Sequence, residues 1–407
     1  MKIRSITYFT NSLLALEQTE IKKAGNFNLE ARKAFSDHGF EIQTVRIATT
    51  PFSKETSLRD KQYLVDYSRT LEDQTRHQGF DFVAIGPAYP ERLDDYDLIP
   101  EVLSETKNVF LSGMMTTTDG QVSIPAVRAC AHIIQKASTL TEDGFTNLRF
   151  TALANVSPGA PFFPAAYSLS YKPSFALAME AADLAVYTFR EASSLEEARN
   201  KLITIIEEYA QQLTLISERL TDSLGIDFGG IDFTLAPFPE ENLSFGAAME
   251  QIGVPAVGKH GSLAAAAILA DTLDRAKFRR AGFNGLMMPV LEDAVLSKRV
   301  ADGNLTITDL LLYSSVCGTG LDTVPLPGDI NEEQIAALLL DVASLAQRLD
   351  KPLTARLMPI PGKQAGDPTE FDFSYFANSH VLNINASPLN RFFKGDESFP
   401  LERRPIS

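Results

Sequence analysis

Apolar residues in the first half of the chain alternate between short continuous runs and stretches with helical spacing. Ile3–Phe9 reads as a strand, the segment through about His38 as a helix ending at Gly39, Glu41–Ala48 as a strand, and Ser57–Gln78 as a helix ending at Gly79. The apolar run Phe80–Ile85 stops at Gly86-Pro87. Val109–Ser112 and Arg149–Leu153 are further short strands, with a helix between them at about Ile124–Ala137. Apolar strands separated by helices are the pattern of βαβ units around a buried parallel or mixed sheet.

Leu195–Leu224 is the longest helical pattern, with Leu202, Ile205, Ile206, Tyr209, Leu213 and Ile216 recurring at spacings of three and four. Ser193 or Ser194 caps its start, Glu196 and Glu197 lie in the first turn, and Gly225 ends it. A strand at Gly230–Leu235 and a helix at about Leu243–Ile252 follow. The pattern continues through Ser262–Asp274, Gly285–Val290, Glu292–Ala301 and Glu332–Arg348 to a strand at Leu353–Met358. No repeat or linker interrupts it. The expectation is one α/β domain over residues 1–407, with a soft boundary near residue 194 and a wrapping tail from about residue 375 onward.

Composition narrows the partners. The 407 residues carry a formal net charge of −15, which argues against nucleic acid and anionic membrane surfaces. Local lysines and arginines still permit an anionic small molecule. Two distant cysteines, Cys130 and Cys317, make neither a disulfide framework nor a zinc pattern. The N-terminus lacks the apolar core of a signal peptide, and no apolar run is long enough to span a bilayer. A reduced cytoplasm is the expected compartment. No histidine pair has zinc-ligand spacing, whereas a carboxylate-bound divalent cation stays open as a cofactor. A homodimer is the usual prior for oligomeric state.

Five turns place polar residues beside glycine or proline at strand ends, where α/β folds gather ligands. ANVSPGAPFFPA offers Asn155, with Phe162 and Phe163 as pocket walls or as packing for a stiff loop. DFTLAP holds Asp232 in an apolar strand, where a carboxylate needs a partner, as a ligand or as a structural hydrogen bond. VGKHGS opens an alanine-rich helix, so Lys259, His260, Gly261 and Ser262 form an anion-binding turn, or Ser262 is a helix cap. VCGTGLDTVP, the densest of the five, reads as a loop carrying Cys317, Gly318, Gly320 and Asp322. Its cysteine is a nucleophile only with a base or electropositive surroundings, and is otherwise a buried thiol. PIPGKQAGD presents Lys363 and Asp367 to an anionic or amine-bearing substrate, or is a solvated turn. Glu292-Asp293 is weaker, since Glu292 suits the first turn of the next helix equally well.

These turns, with the N-terminal strand MKIRSIT, the segment MMPVLED and the arginine strand running into PGKQAGD, follow one order along nearly the whole chain. In that order they resemble the domain of unknown function 711 family, which is grouped structurally with pyruvate formate-lyase-like glycyl radical enzymes. The resemblance implies an α/β barrel of about ten strands with a hairpin loop inside. Glycyl radical enzymes carry their glycine near the C-terminus in an Arg-Val-Ser/Ala-Gly-Tyr/Phe pattern. Here the nearest match, Arg280-Ala281-Gly282-Phe283, lacks the valine and lies far from the end, so a related scaffold without the glycyl radical is expected.

The functional expectation is a cytoplasmic enzyme acting on a small polar or carboxylated metabolite by non-radical chemistry: a lyase, isomerase or hydrolase. Cys317 would be nucleophile or acid, His260 general base, and Asp232 or Asp322 an orienting carboxylate. Asn155, Lys259, Gly261, Ser262, Gly318, Gly320, Lys363 and Asp367 would bind substrate. The alternative is a small-ligand-binding or regulatory protein on the same scaffold without turnover.

Overall fold

The computed structural model describes residues 1–11, 16–316 and 318–403. Its strands are β1 (Lys2–Phe9), β2 (Ile42–Ala48), β3 (Phe82–Ala88), β4 (Val109–Met114), β5 (Gln121–Ser123), β6 (Phe150–Ala154), β7 (Ser174–Glu180), β8 (Asp227–Ala236), β9 (Gly320–Pro327), β10 (Leu353–Ile360) and β11 (Ser398–Pro400). Nine of them form one mixed, mostly parallel sheet in the order β8-β7-β1-β2-β3-β4-β6-β10-β9, and β5 pairs with β11 in a small separate ladder. Strands β1, β2, β3, β4 and β6 run parallel to one another. The antiparallel junctions are β1 with β7 and β6 with β10. Beyond the two edges, Ile231 of β8 bridges Arg280, and Asp322 of β9 bridges Pro289, both in the parallel sense.

Every residue of β4, β6, β9 and β10 is buried, as a sheet covered on both faces requires. Helices cover one face. Val45 and Ile47 of β2, and Ala355 and Leu357 of β10, point into that main core with residues such as Leu202 and Leu339 of the long helices. The alternate positions, Thr44, Arg46 and Arg356, point the other way and line a cavity. In β1 a register irregularity between Ile3 and Ser5 breaks the alternation. Arg4 lines the cavity, and the hydroxyls of Ser5 and Thr7 both donate to the Pro161 carbonyl at 3.3 Å. The connection between β6 and β7 is thereby fixed against the same cavity-lining face.

The helix expected at Leu195–Leu224 has those bounds, with Ser194 accepting from the Glu197 N–H and Gly225 left-handed at φ 66°. Two expectations need correction. β3 runs through Gly86-Pro87 and does not stop there. Much of the supposed loop Val316–Pro325 is strand β9, which begins at Gly320. Its prolines are tolerated because β10 is its only ladder partner in the sheet. Gly320 sits at φ 92°, and a Cβ there would lie 2.3 Å from the Thr354 carbonyl oxygen. Gly320→Ala is therefore expected to cost about 1–3 kcal/mol. A denaturation midpoint equal to that of the parent would refute the close strand approach.

Candidate functional site

Seven strands and four connecting segments converge on one cavity on that face of the sheet, with about 790 Å³ of space between atoms including its open mouth. Its chemistry is set by three arginines on three strands. Arg356 of β10 is buried and grips Asp322 of β9 through two bonds, Nε to Oδ1 at 2.5 Å and Nη2 to Oδ2 at 2.9 Å. The same Nη2 lies 3.1 Å from Oε1 of Glu292. Burial alone would weaken the Arg356 charge; Asp322 and Glu292 outweigh it and hold the guanidinium above its usual value. Arg4 of β1 pairs with the other Glu292 oxygen and donates to the Pro237 carbonyl at 2.9 Å.

Arg46 of β2 differs from these two. Its Nε donates to Thr44 Oγ1 at 2.9 Å, and its guanidinium lies 5.2 Å from the Phe163 ring centre and 5.7 Å from that of Phe82. Among the described residues no carboxylate lies within ion-pairing distance, and neither Nη nitrogen has a protein acceptor. The side chain is closely surrounded by protein, yet part of its surface opens to the cavity. Burial, and the positive charges of Arg4 and Arg356, push it down to about 9. It therefore remains a cation at neutral pH.

The walls are aromatic. Phe82, Phe110 and Phe163 pack edge to face or tilted, with ring centres 5.1 and 5.5 Å apart. Phe162, Phe373 and Tyr375 line other parts of the cavity.

Of the residues singled out from sequence, Asp232 lines the cavity, and Asp322 sits directly behind Arg356. Asp232 is occupied: it accepts from the backbone N–H groups of Thr234, Phe283 and Asn284 at 2.9–3.0 Å and from the Thr234 hydroxyl at 2.5 Å. Burial pushes its carboxyl above the usual range, and these bonds oppose the shift. They also explain Gly282, where a Cβ would lie 2.3 Å from Asp232 Oδ2. Phe162 and Phe163 are cavity walls.

The other predicted residues lie elsewhere. Asn155, left-handed at φ 57°, ties the end of β6 to the helix Glu332–Leu349 through Ala346 and Gln347. Lys259, His260 and Gly261 are exposed on a turn outside the cavity lining. Gly261 is the helix cap there, while buried Ser262 accepts from the Gly258 N–H and donates to the Lys259 carbonyl. Gly318 packs on Gly285, and Gly320 opens β9. Lys363 pairs with Glu370 at 3.0 Å, and Asp367 accepts from the Gln364 N–H within its turn. Cys317 lies outside the described residues.

Sequence reasoning passed over Arg4 and Arg46 and underrated Glu292. Glu292 is not a first-turn residue of the next helix. Asp293 caps that helix, Ala294–Ala301, by accepting from Val295 and Leu296, and Glu292 turns inward to the arginines. Among the described residues, no cluster of three or more His, Cys, Asp or Glu has the arrangement of a metal site, and no helix is long and apolar enough to cross a membrane.

The chain is similar to proteins named "UPF0210 protein". That of Acetivibrio thermocellus is 30% identical over 355 residues, covering 82% of this chain and 78% of the relative. That of Pyrobaculum arsenaticum is 31% identical over 392 residues, covering 92% and 84%. That of Limosilactobacillus reuteri is 28% identical over 367 residues, covering 86% and 81%. Residues 1–379 match the family model described as "Uncharacterised ACR (DUF711)", and the chain belongs to that family.

Proposed function

We propose that this protein is an enzyme of small-metabolite metabolism whose substrate carries an anionic group, a carboxylate or its equivalent, held in the arginine cavity. The reaction is non-radical, of the lyase, isomerase or hydrolase type. The observation that carries the reading is Arg46: a cation surrounded by protein, opening to a cavity, with no carboxylate to pair with among the described residues. Enclosing an unpaired charge is costly unless a ligand completes it.

The same reading includes a closed barrel of about ten strands. Laid flat, the edges of a nine-stranded sheet would stand roughly 40 Å apart. Yet Asp232 of the β8 edge strand, Phe82 of the central β3 and Arg356 of β10 line one cavity. Residues 280 and 289, bridged to β8 and β9, support the intervening segment as the closing strand.

Cys317 is the proposed nucleophile or acid. Its neighbour Gly318 packs on Gly285, two residues from the cavity-lining Met287. Asp322 and Asp232 are positioning residues in this scheme, for Arg356 and for residues 282–285. Nothing in the cavity lining supports His260 as the base.

The reading is tested by a thermal-shift screen against small carboxylates and phosphates. Ligand at about one hundred times its dissociation constant should add roughly 2.7 kcal/mol of stability. A hit should vanish in Arg46→Met, and Cys317→Ala should abolish turnover of that ligand while leaving Tm nearly unchanged. Anion-induced shifts that survive Arg46→Met would move the ligand site away from the cavity. A second reading, a binding or regulatory protein without turnover, is favoured by one feature: Asp232 and Glu292, the carboxylates lining the cavity, are already bonded. It predicts a bound ligand recovered unconsumed by parent and Cys317→Ala alike.

A further inference from the structure

We infer that the ligand is an aromatic monocarboxylate. The inference rests on the anionic-ligand reading above and goes further, because the remaining polar groups of the cavity restrict what else the ligand carries.

Asp232 is saturated by four donors, and the Thr234 hydroxyl is one of them. Glu292 is shared by Arg4 and Arg356. Arg356 also holds Asp322, and Arg4 also holds the Pro237 carbonyl. Thr44 donates to the Arg4 carbonyl and accepts from Arg46, and Gln43 donates to Glu180. Among the described residues, the lining side-chain atoms without a protein bond are the two Nη nitrogens of Arg46, Nε of Arg4, Oε1 of Gln43 and the hydroxyl of Tyr375, and only Arg46 offers two donors side by side. A guanidinium edge with two free N–H groups fits the two oxygens of one carboxylate.

The rest of the cavity offers carbon. The Arg46 guanidinium lies over the Phe82 and Phe163 rings, and Phe110 joins those rings at 5.1 and 5.5 Å. A carboxylate on Arg46 places the atoms attached to it among these rings, where a flat apolar body makes offset or edge contacts. A sugar phosphate or a dicarboxylate would bring more polar groups into the same space than these scattered single atoms can pair, and most would lose water without gaining a partner. The Tyr375 hydroxyl and Gln43 Oε1 each allow a single polar substituent on the ring.

Isothermal titration of the full chain at neutral pH tests this. The probes are benzoate and 3-phenylpropanoate, against cyclohexanecarboxylate, succinate and inorganic phosphate. Both aryl carboxylates should bind, with succinate and phosphate at least about 10-fold weaker. Arg46→Met should weaken aryl carboxylates about 10- to 100-fold. Its Tm should not fall, because an enclosed, unpaired cation is replaced by an apolar chain of similar length. Arg46→Lys, which keeps the charge without the fork, should give an intermediate loss. Phe163→Leu should weaken benzoate more than cyclohexanecarboxylate. Succinate or phosphate binding as tightly as benzoate, and lost in Arg46→Met, would overturn the aromatic assignment while the anion site stands. Binding of none of the five probes would overturn both.

Discussion

Replacing Asp322 by alanine is expected to destabilise the fold by about 3–5 kcal/mol, the usual effect of removing one partner from a buried pair. Asp322 is fully buried on β9 and accepts two bonds from Arg356, itself 4% exposed on β10. Loss of the carboxylate leaves that guanidinium with half its compensation, because Glu292 is shared with Arg4. Water has little access to replace it. The measurement is urea unfolding with Asp322→Ala, Arg356→Met and the double variant. The double variant should be more stable than Asp322→Ala alone, since it removes the stranded charge, and Glu292 keeps Arg4 as partner. A loss below about 1 kcal/mol in Asp322→Ala would mean that Glu292 alone satisfies Arg356, and that the β9 carboxylate is not structural.

Local elements were legible in the sequence, and the site was legible only in part, for one reason. Helix Leu195–Leu224 was readable because spacing and caps are properties of the segment itself. Asp232 was readable because a charge inside an apolar strand demands a partner, and so was Asp322 as a loop carboxylate. The same argument applies to Arg4 in KIRSITYF, Arg46 in IQTVRIA and Arg356 in LTARLMPI. Applied there, it would have marked the cavity. Sequence could not show which partners answer. Arg4 and Glu292 are 288 positions apart, and Arg356 and Glu292 are 64 apart. Those contacts exist only after the sheet has assembled. The glycine-rich turns misled for the opposite reason. Gly320 and Gly282 are required by close approach to Thr354 and Asp232, and a Gly-flanked turn looks the same whether its neighbour is a ligand or another strand. Asn155 shows the ambiguity in a polar residue: its amide is used up joining a strand to a helix.

Glu292→Ala is expected to be the most informative single change, combining a loss of about 3–5 kcal/mol with a gain of ligand dependence. Among the described residues, Glu292 is the one carboxylate in contact with two of the three cavity arginines, and it lines the space from which a ligand would reach them. Removing it strands positive charge on Arg4 and partly on Arg356, and leaves a vacancy the size of a carboxyl group beside the cavity. A small carboxylate from solution can enter that vacancy and take over the role of the missing side chain. Formate, added to saturation, should therefore raise the Tm of Glu292→Ala well beyond its effect on the parent. At about one hundred times its dissociation constant the recovery is about 2.7 kcal/mol, most of the original loss. Chloride at equal ionic strength controls for screening, and acetamide for size without charge; neither should restore stability as formate does. Equal recovery with chloride would reduce the role of Glu292 to bulk neutralisation. No recovery with any anion would show that Arg4 and Arg356 are not reachable from the cavity, and the ligand's charged contacts would then be confined to Arg46.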